Sequence, residues 1–219
     1  MNAIYSHGKR EQNKQANRAM LLDAAKRCFL EMGYDAATVR DIVRLTDLAS
    51  GTFYNYFPDK ETMFREILEN RVNNLDAKLQ QLHREAPTLE AFIRDAFLAF
   101  FRMITAEPQI FGLVLRNEHA VRGLFKDTVI SPLMRTLKQD IRDAVQRGVF
   151  PDVDVDLLAA TFYGTAFEIG RVLVEQPGTS SAEAAADFAA RLLTNGLGAS
   201  SRPPAPAPRP DKARHLGLP

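Results

Sequence analysis

The segment 46–57, TDLASGTFYNYF, places small polar side chains between large apolar ones. Ser50, Thr52 and Asn55 carry hydroxyl and amide groups that form hydrogen bonds, and Gly51 allows another surface to approach the backbone closely. Aromatic residues that pack inward would hold these groups on an outward face. The pattern therefore predicts noncovalent binding to a polar surface that comes close to the chain.

Three short helices must position this face. Apolar residues at helical spacing predict the first helix over 14–32, and Thr38 is a suitable N-cap for a second helix of two turns. That helix should end near Asp47, which we expect in the left-handed backbone conformation of a tight turn. The third helix should begin near residue 49 or 50 and end by Phe57, because Pro58 disfavours helical geometry in the residue before it.

Two helices joined by a tight turn make a helix-turn-helix, whose last helix enters the major groove of DNA. The aromatic side chains of the third helix can anchor it on the first two. We expect Phe53, Tyr56 and Phe57 to pack against Phe29 and Ile42. The residues left on the outward side are Ser50, Gly51, Thr52, Tyr54 and Asn55.

Residues 23–68 resemble the DNA-binding segment of the TetR family of bacterial transcriptional regulators. The shared features are the Phe-x-x-x-Gly-Tyr pattern at 29–34, Thr-Val-Arg-Asp-Ile at 38–42, Gly-Thr-Phe-Tyr at 51–54, and Phe57 with Lys60 and Glu61. Two positions depart from the family pattern: Asp47 stands where glycine is usual, and Ala49 stands where a capping serine is usual. The start of the third helix then depends on Ser50 or on backbone geometry alone.

The resemblance implies a role for each matching residue. It implies phosphate contacts for Thr38, Tyr54 and Lys60, and contacts with bases or backbone for Ser50, Gly51, Thr52 and Asn55. A lysine in the first turn of a helix opposes the helix dipole, and a phosphate at that end would reverse this cost. Arg40 and Arg44 are either phosphate contacts or charges on a solvated face.

The net charge of the chain is +1, but the charge is unevenly distributed. Residues 1–27 contain six basic side chains and two acidic ones. We predict a flexible basic arm over 1–13. Arg18 and its basic neighbours either form an arm that contacts DNA or belong to a solvated tail. No signal peptide or run of apolar residues long enough to cross a bilayer is apparent, which predicts a cytoplasmic protein that does not bind a membrane.

The remaining sequence predicts an all-α protein of about nine helices. Helical patterns begin at Asp59, Pro87-Thr88 and Pro108, and continue over 122–147, 154–175 and 181–197. The predicted domains are a DNA-binding domain over 14–60 and a larger ligand-binding and dimerisation domain over 61–198. Residues 199–219 are rich in proline and poor in large apolar residues, so we expect them to be disordered.

The last two helices are the predicted dimer interface, since an operator is usually read twice and the family dimerises there. Small residues at 159, 160, 164, 166 and 170 allow close approach of helices. The apolar candidates for the interface are Leu158, Phe162, Ile169, Leu173, Phe188, Leu192 and Leu193.

The four helices from 87 to 175 are where such regulators hold an inducer. Aromatic and methionine side chains could line an apolar cavity there, although each one alone is also ordinary core. The candidates are Phe97, Phe100, Phe101, Met103, Phe111, Met134, Phe162, Tyr163 and Phe167. Polar candidates for orienting a ligand, or for surface ion pairs, are Arg102, Arg116, Glu118, His119, Glu168 and Arg171.

Catalytic patterns are missing from the sequence: it has no HExxH, no glycine-rich phosphate loop and no GxSxG. We expect no cofactor and no metal site, and we do not expect His83 or His119 to be a metal ligand. The prediction is a homodimeric repressor that a small apolar or amphipathic inducer releases from a palindromic operator. The alternatives are a regulator or activator that needs its ligand to bind DNA, and a helical-bundle enzyme acting on a hydrophobic substrate.

Overall fold

The computed structural model describes residues 2–124, 127 and 130–199, and this part of the chain is helical without strands. It contains nine α-helices and one 3-10 helix, Ser50–Asn55, between α2 and α3. The α-helices are α1 Asn2–Glu31, α2 Val39–Arg44, α3 Lys60–Glu85, α4 Leu89–Ala106, α5 Pro108–Arg116, α6 Glu118–Leu124, α7 Ser131–Gln146, α8 Val155–Glu175 and α9 Ala182–Ala199. The all-α prediction is confirmed.

Helix α1 is longer than its apolar pattern predicts. It begins at Asn2 rather than near residue 14, so the segment predicted as a flexible basic arm, 1–13, is helical from Asn2 on. The residues before 14 are mostly polar, so their sequence has no apolar stripe by which to recognise a helix. The helix ends before Gly33, whose φ of +84° reverses the chain direction at little steric cost.

Helix α2 and the 3-10 helix are held by short-range hydrogen bonds. Thr38 and Asp41 form a capping box: each side chain accepts a hydrogen bond from the backbone N–H of the other. The turn that follows does not use a left-handed Asp47, because no described residue other than glycine has a positive φ. Instead the Thr46 hydroxyl donates to the Val43 carbonyl and accepts from the Leu48 N–H. Ala49 caps the 3-10 helix through its backbone alone.

The later helices begin at predicted caps, with one exception. Asp59 accepts from Thr62 N at the start of α3, Thr88 accepts from Ala91 N at the start of α4, and Pro108 opens α5. The exception is the segment 122–147, predicted as one helix: it covers the end of α6 and all of α7, and residues 127 and 130 between them are in π-helical conformation. Helix α6 ends at Leu124 and α7 begins at Ser131, with Pro132 in a first turn that needs no N–H donor from it.

Two apolar cores hold the helices together. The first joins α1, α2, the 3-10 helix and the start of α3, and it also takes Leu113 from α5 and Val121 from α6. The second joins α4, α5, α7, α8 and α9. The first core therefore does not stop at residue 60: it includes residues of α5 and α6, and α5 belongs to both cores. The predicted tail, 199–219, lies outside the described residues apart from the last residue of α9.

Candidate functional site

The 3-10 helix presents a polar face to solvent. Phe53 and Phe57 are fully buried beneath it, and Tyr56 is half-buried against the same core, as predicted. On the other side, Gly51 and Asn55 are exposed and Thr52 is half-buried. The ring of Tyr54 is 63% exposed, and it contacts Phe53 edge-to-face. The side chain of Ser50 lies outside what the structure describes.

Helix α1 fixes the position of this face from behind. Arg18 forms an ion pair with Glu66 of α3, and its guanidinium lies over the Phe57 ring, 4.9 Å from the centroid. One position earlier, Asn17 donates to the Tyr56 hydroxyl at 3.2 Å. Arg18 thus braces the fold, and its contact with DNA stays a prediction.

The N-terminus of α2 lies beside the 3-10 helix and adds exposed polar groups. Thr38 and Arg40 are both exposed, and Arg44 is within 3.9 Å of Asp41. Hydrogen bonds from the Thr38 side chain and backbone lower the pKa of Asp41, which keeps the capping box ionised at neutral pH. The Thr38 hydroxyl is engaged in the cap, whereas Arg40 extends into solvent.

Lys60 has a structural environment that the sequence did not indicate. Its ammonium donates to the carbonyl oxygens of Tyr34 at 2.7 Å, Ala37 at 2.9 Å and Asp35 at 3.4 Å, and it lies 4.5 Å from the centroid of the Tyr34 ring. Burial, followed by repulsion from nearby carboxylates, raises the pKa of Tyr34 to about 12. All three ammonium protons are therefore directed to the loop between α1 and α2, and the phosphate contact of Lys60 stays a prediction.

A second site lies in the larger domain, where six α-helices enclose an apolar cavity of about 200 Å³. Helices α3, α4, α5 and α8 supply most of its wall, and α6 and α7 complete it. Eight of the nine predicted residues line it: Phe97, Phe100, Met103, Phe111, Met134, Phe162, Tyr163 and Phe167. Phe101 does not, because it is fully buried on another side of α4, within the core.

The contribution of α3 was missed. Its lining residues run from Leu68 to His83, about 22 Å at 1.5 Å per residue, so the cavity extends along this helix, and we call it the channel. The apolar repeat of α3 was visible in the sequence. That the repeat faces a cavity rather than solid core depends on how the helices are spaced, which no local pattern encodes.

None of the six predicted polar candidates lines the channel. Arg102 pairs with Glu183 on the surface at 2.9 Å, and Arg116 and His119 are exposed. The other three, Glu118, Glu168 and Arg171, form an ion-pair cluster outside the ring of Phe167. Burial opposes ionisation of Glu118, but hydrogen bonds from Arg122 and Arg171 lower its pKa.

The polar side chains that do line the channel are those of Arg71, Glu107, His83 and Tyr163. Arg71 and Glu107 form an ion pair at 2.6 Å, and both are nearly half exposed, so they mark an end of the channel that meets solvent. His83 is 3% exposed and lies at the other end of the lining on α3. Among the described residues, no group of three or more His, Cys, Asp or Glu side chains could hold a metal ion.

Asn117, between α5 and α6, connects the channel wall to the first core. Its amide oxygen accepts from the Tyr34 N–H at 2.5 Å, and its amide nitrogen donates to the carbonyls of Leu113 at 2.8 Å and Phe29 at 3.3 Å. The side chain is buried. It therefore joins the end of α1 to two helices whose other residues line the channel.

Helices α8 and α9 expose an apolar face on the surface. Leu157 and Val172 of α8 and Phe188 and Leu192 of α9 are exposed, with Phe188 and Leu192 at 55% and 57%. Three predicted interface residues lie elsewhere: Leu158, Phe162 and Leu173 are buried within the subunit. Ile169 and Leu193 are half-buried against the same core.

Comparisons with known proteins agree with this division. Residues 21–67 match the family model for bacterial regulatory proteins of the tetR family, and residues 90–197 match a tetracyclin repressor-like C-terminal domain. The repressor KstR2 of Mycolicibacterium smegmatis is 30% identical over 65% of this chain and 72% of its own length. The repressor Rv1474c of Mycobacterium tuberculosis is 41% identical over 53% of this chain and 56% of its own length.

The fold also has counterparts among solved structures. The regulator FadR from Bacillus subtilis, in complex with stearoyl-CoA, superimposes with a TM-score of 0.63 over 82% of this chain and 98% of its own. At 18% sequence identity, this likeness concerns the fold alone.

Proposed function

Because the chain belongs to the TetR family of bacterial regulatory proteins, we propose that it is a cytoplasmic transcriptional repressor that reads a palindromic operator as a homodimer. The single observation that carries the proposal is the exposed polar face of the 3-10 helix. Phe53 of this helix and Phe57 just after it are buried, whereas Gly51, Tyr54 and Asn55 are turned outward in the position that the helix-turn-helix gives to the groove-reading element.

The proposed DNA contacts divide by chemistry. Gly51, Thr52 and Asn55, with Ser50 at the start of the helix, face the bases or the backbone. Tyr54, Thr38 and Arg40 surround this face and supply hydroxyl and guanidinium groups for phosphates. We leave Lys60 out of this set, because its three protons already have carbonyl acceptors.

Dimerisation is proposed through the exposed faces of α8 and α9. The two helices of one subunit would pack on the same two of a second subunit as a four-helix interface, which removes the apolar face from water. Helix α8 has the length and hydropathy of a membrane span, but its inner side belongs to the core and channel of the domain. Sedimentation of a Phe188→Glu variant as a monomer would support this interface.

The channel is the proposed inducer site. Its lining is almost wholly apolar and its length is about 22 Å along α3, which suits an elongated apolar or amphipathic molecule. One solved relative of the same fold, FadR from Bacillus subtilis, is in complex with stearoyl-CoA, a molecule with a long apolar chain. To bind the operator, the DNA-binding faces of the two subunits must be one helical turn of DNA apart. A ligand that binds more tightly when this spacing is different would therefore release the operator.

The experiment that tests the proposal is selection of duplexes from a random DNA pool by the purified protein, followed by titration of the best duplex at two salt concentrations. We expect a palindrome and a steep loss of affinity with salt. Tyr54→Ala should weaken binding at least tenfold with its circular dichroism spectrum unchanged. Failure to enrich any sequence, with and without added ligand, would contradict the proposal.

The alternative regulator needs its ligand in order to bind DNA. The sign of the ligand effect separates the two regulators: an inducer lowers affinity for the selected duplex, whereas a required ligand raises it. No arrangement of described residues favours the helical-bundle enzyme, so we do not develop that alternative.

A further inference from the structure

His83, which lines the channel, has a buried ring nitrogen without a hydrogen-bond partner. The Nε2 atom of His83 is shielded from solvent and makes no hydrogen bond within the described structure. The residue as a whole is only 3% exposed and lines the channel. A buried ring nitrogen without a partner loses its hydrogen bond to water and receives nothing in return, at a cost of about 1–3 kcal/mol. Proteins rarely keep such a group unless something else satisfies it.

The other ring nitrogen fixes what His83 can offer. Nδ1 lies 2.7 Å from a carboxylate oxygen of Asp140 on α7, and since a carboxylate can only accept, Nδ1 carries the proton. In the neutral imidazole this leaves the acceptor lone pair on Nε2. When the imidazole is neutral, the unpartnered Nε2 atom is therefore a hydrogen-bond acceptor.

The ring is also held rigidly. It stacks on Phe92 with 3.9 Å between centroids and 9° between planes. Arg147 donates to the carbonyls of His83 at 2.7 Å and Arg84 at 2.6 Å, which holds the end of α3 in place. Because the ring cannot turn away, an approaching donor meets a lone pair of fixed direction, as in a preorganised binding site.

We propose that His83 is the specificity residue of the channel, and that its ligand is an unbranched apolar molecule carrying a hydroxyl group, which donates its proton to Nε2. The inference rests on the proposed function in one respect, that the channel holds a ligand. The apolar lining extends along about 22 Å of α3, which suits an extended chain. The lining offers few other polar groups besides the exposed pair Arg71–Glu107.

The test compares two isomers by isothermal titration calorimetry without DNA: decan-1-ol, which has a hydroxyl proton, and 1-methoxynonane, which has none. We expect the parent protein to bind the alcohol about five- to tenfold more tightly, the effect of one buried hydrogen bond. His83→Phe should bind both isomers within about twofold of each other. Leu79→Ala, one turn earlier on the same wall, should weaken both while keeping their ratio.

Equal affinity of the parent protein for the two isomers would overturn the inference, whatever the variants do. Tighter binding of decanoate than of decan-1-ol, lost in His83→Phe, would also overturn it, because the ring would then be a donor to an anion. If His83→Phe folds poorly because Asp140 loses its partner, His83→Phe with Asp140→Asn replaces it. A hydroxyl preference with no effect on the selected duplex would contradict the proposed inducer role and leave this inference standing.

Discussion

The ammonium of Lys60 lies where α1, α2 and α3 meet, and it donates hydrogen bonds to three carbonyl groups of the loop between α1 and α2. Lys60→Met keeps the apolar stem and removes the three donors. We expect the free energy of unfolding, measured in urea, to fall by about 1–3 kcal/mol. Because no proton is left for a phosphate, the salt dependence of DNA binding should not change.

The matched control for Lys60→Met is Arg40→Met, an exposed cation on α2. A lost phosphate contact lowers the slope of log affinity against log salt by about one. We expect that loss in Arg40→Met and not in Lys60→Met. A reduced slope in Lys60→Met would restore the phosphate contact that the family resemblance implied and would show that the lysine leaves the loop when DNA binds.

Asp76 on α3 carries a charge in an unfavourable place. Burial, and secondarily the nearby Asp140, raises its pKa, and one of its carboxylate oxygens is buried without a hydrogen-bond partner. Below its unfolded pKa of 3.8, the carboxyl is protonated in both the folded and the unfolded state and costs no stability. Once pH rises through the folded pKa, the ionised group destabilises the fold. Asp76→Asn should therefore stabilise the protein at pH 7, by roughly 0.5–1 kcal/mol after allowance for partial exposure.

The gain from Asp76→Asn should shrink as pH falls towards 4, because the parent carboxyl is then protonated in both states. Thermal unfolding of the two proteins at pH 4 and pH 7 measures this difference, and other acids cancel between them. A gain that is the same at both pH values would mean that the amide packs better than the carboxyl and that charge is irrelevant.

At the scale of elements, α8 can approach α4 and α5 because residue 170 is glycine. A Cβ there would lie 2.9 Å from Ile104 Cδ1, 3.2 Å from a carbon of the Phe100 ring and 3.3 Å from one of the Phe111 ring. All three neighbours line the channel, so they can yield only by moving into it. Gly170 thus sets the width of the channel through the distance between helices.

Gly170→Ala should cost little stability and much ligand affinity. Alanine favours a helix over glycine by about 0.5–1 kcal/mol, which offsets part of the strain. We expect a change in unfolding free energy of about 1 kcal/mol or less, and a loss of several-fold in affinity for decan-1-ol by calorimetry. Gly164→Ala on the same helix meets nothing within 4 Å, and its affinity should match the parent. Unchanged affinity in Gly170→Ala would contradict the argument.

The elements also show which features a sequence can predict. Caps and stops act within four residues, so Thr38, Asp59 and Pro108 gave the helix starts correctly. The aromatic lining was predicted well, because apolar residues at helical spacing must face inward. Phe101 shows the limit, since a buried aromatic residue can face either the core or the channel.

Polar partners distant in sequence could not be predicted. Arg18 meets Glu66, Lys60 meets the loop before α2, and Asp140 orients His83 across 57 residues of sequence. Each pair depends on how helices pack, and a charged residue in isolation looks the same whether it is solvated or paired. The DNA contacts were therefore proposed from family resemblance, while the polar end of the channel became visible only in the fold.

At the scale of the whole molecule, the two sites must communicate if a ligand is to release DNA. Helices α5 and α6 offer a direct connection, because Ile110, Phe111, Val114 and Val121 line the channel while Leu113 and Val121 belong to the core beneath the reading face. Asn117 joins the same helices by hydrogen bonds to the end of α1 and the loop before α2. A ligand that moves α5 therefore moves the support of the reading head.

We expect Asn117→Leu to weaken this coupling. The variant keeps a side chain of similar size but loses the hydrogen bonds to Tyr34 and Phe29. Coupling energies between two sites are typically about 1–3 kcal/mol, or 5- to 150-fold in affinity. Ligand affinity measured without DNA should stay within about twofold of the parent, while the ligand-induced loss of affinity for the selected duplex should fall to a few-fold.

The measurement for Asn117→Leu is a complete cycle: DNA affinity with and without ligand, and ligand affinity with and without DNA, at a temperature far below unfolding. Both halves must give the same coupling factor, since linkage is reciprocal. Arg102→Ala, which removes a surface ion pair with Glu183 away from this connection, should keep the parent's factor. If Asn117→Leu also keeps it, the signal passes along α3, whose first turns contact the reading head and whose later turns line the channel, without help from this side chain.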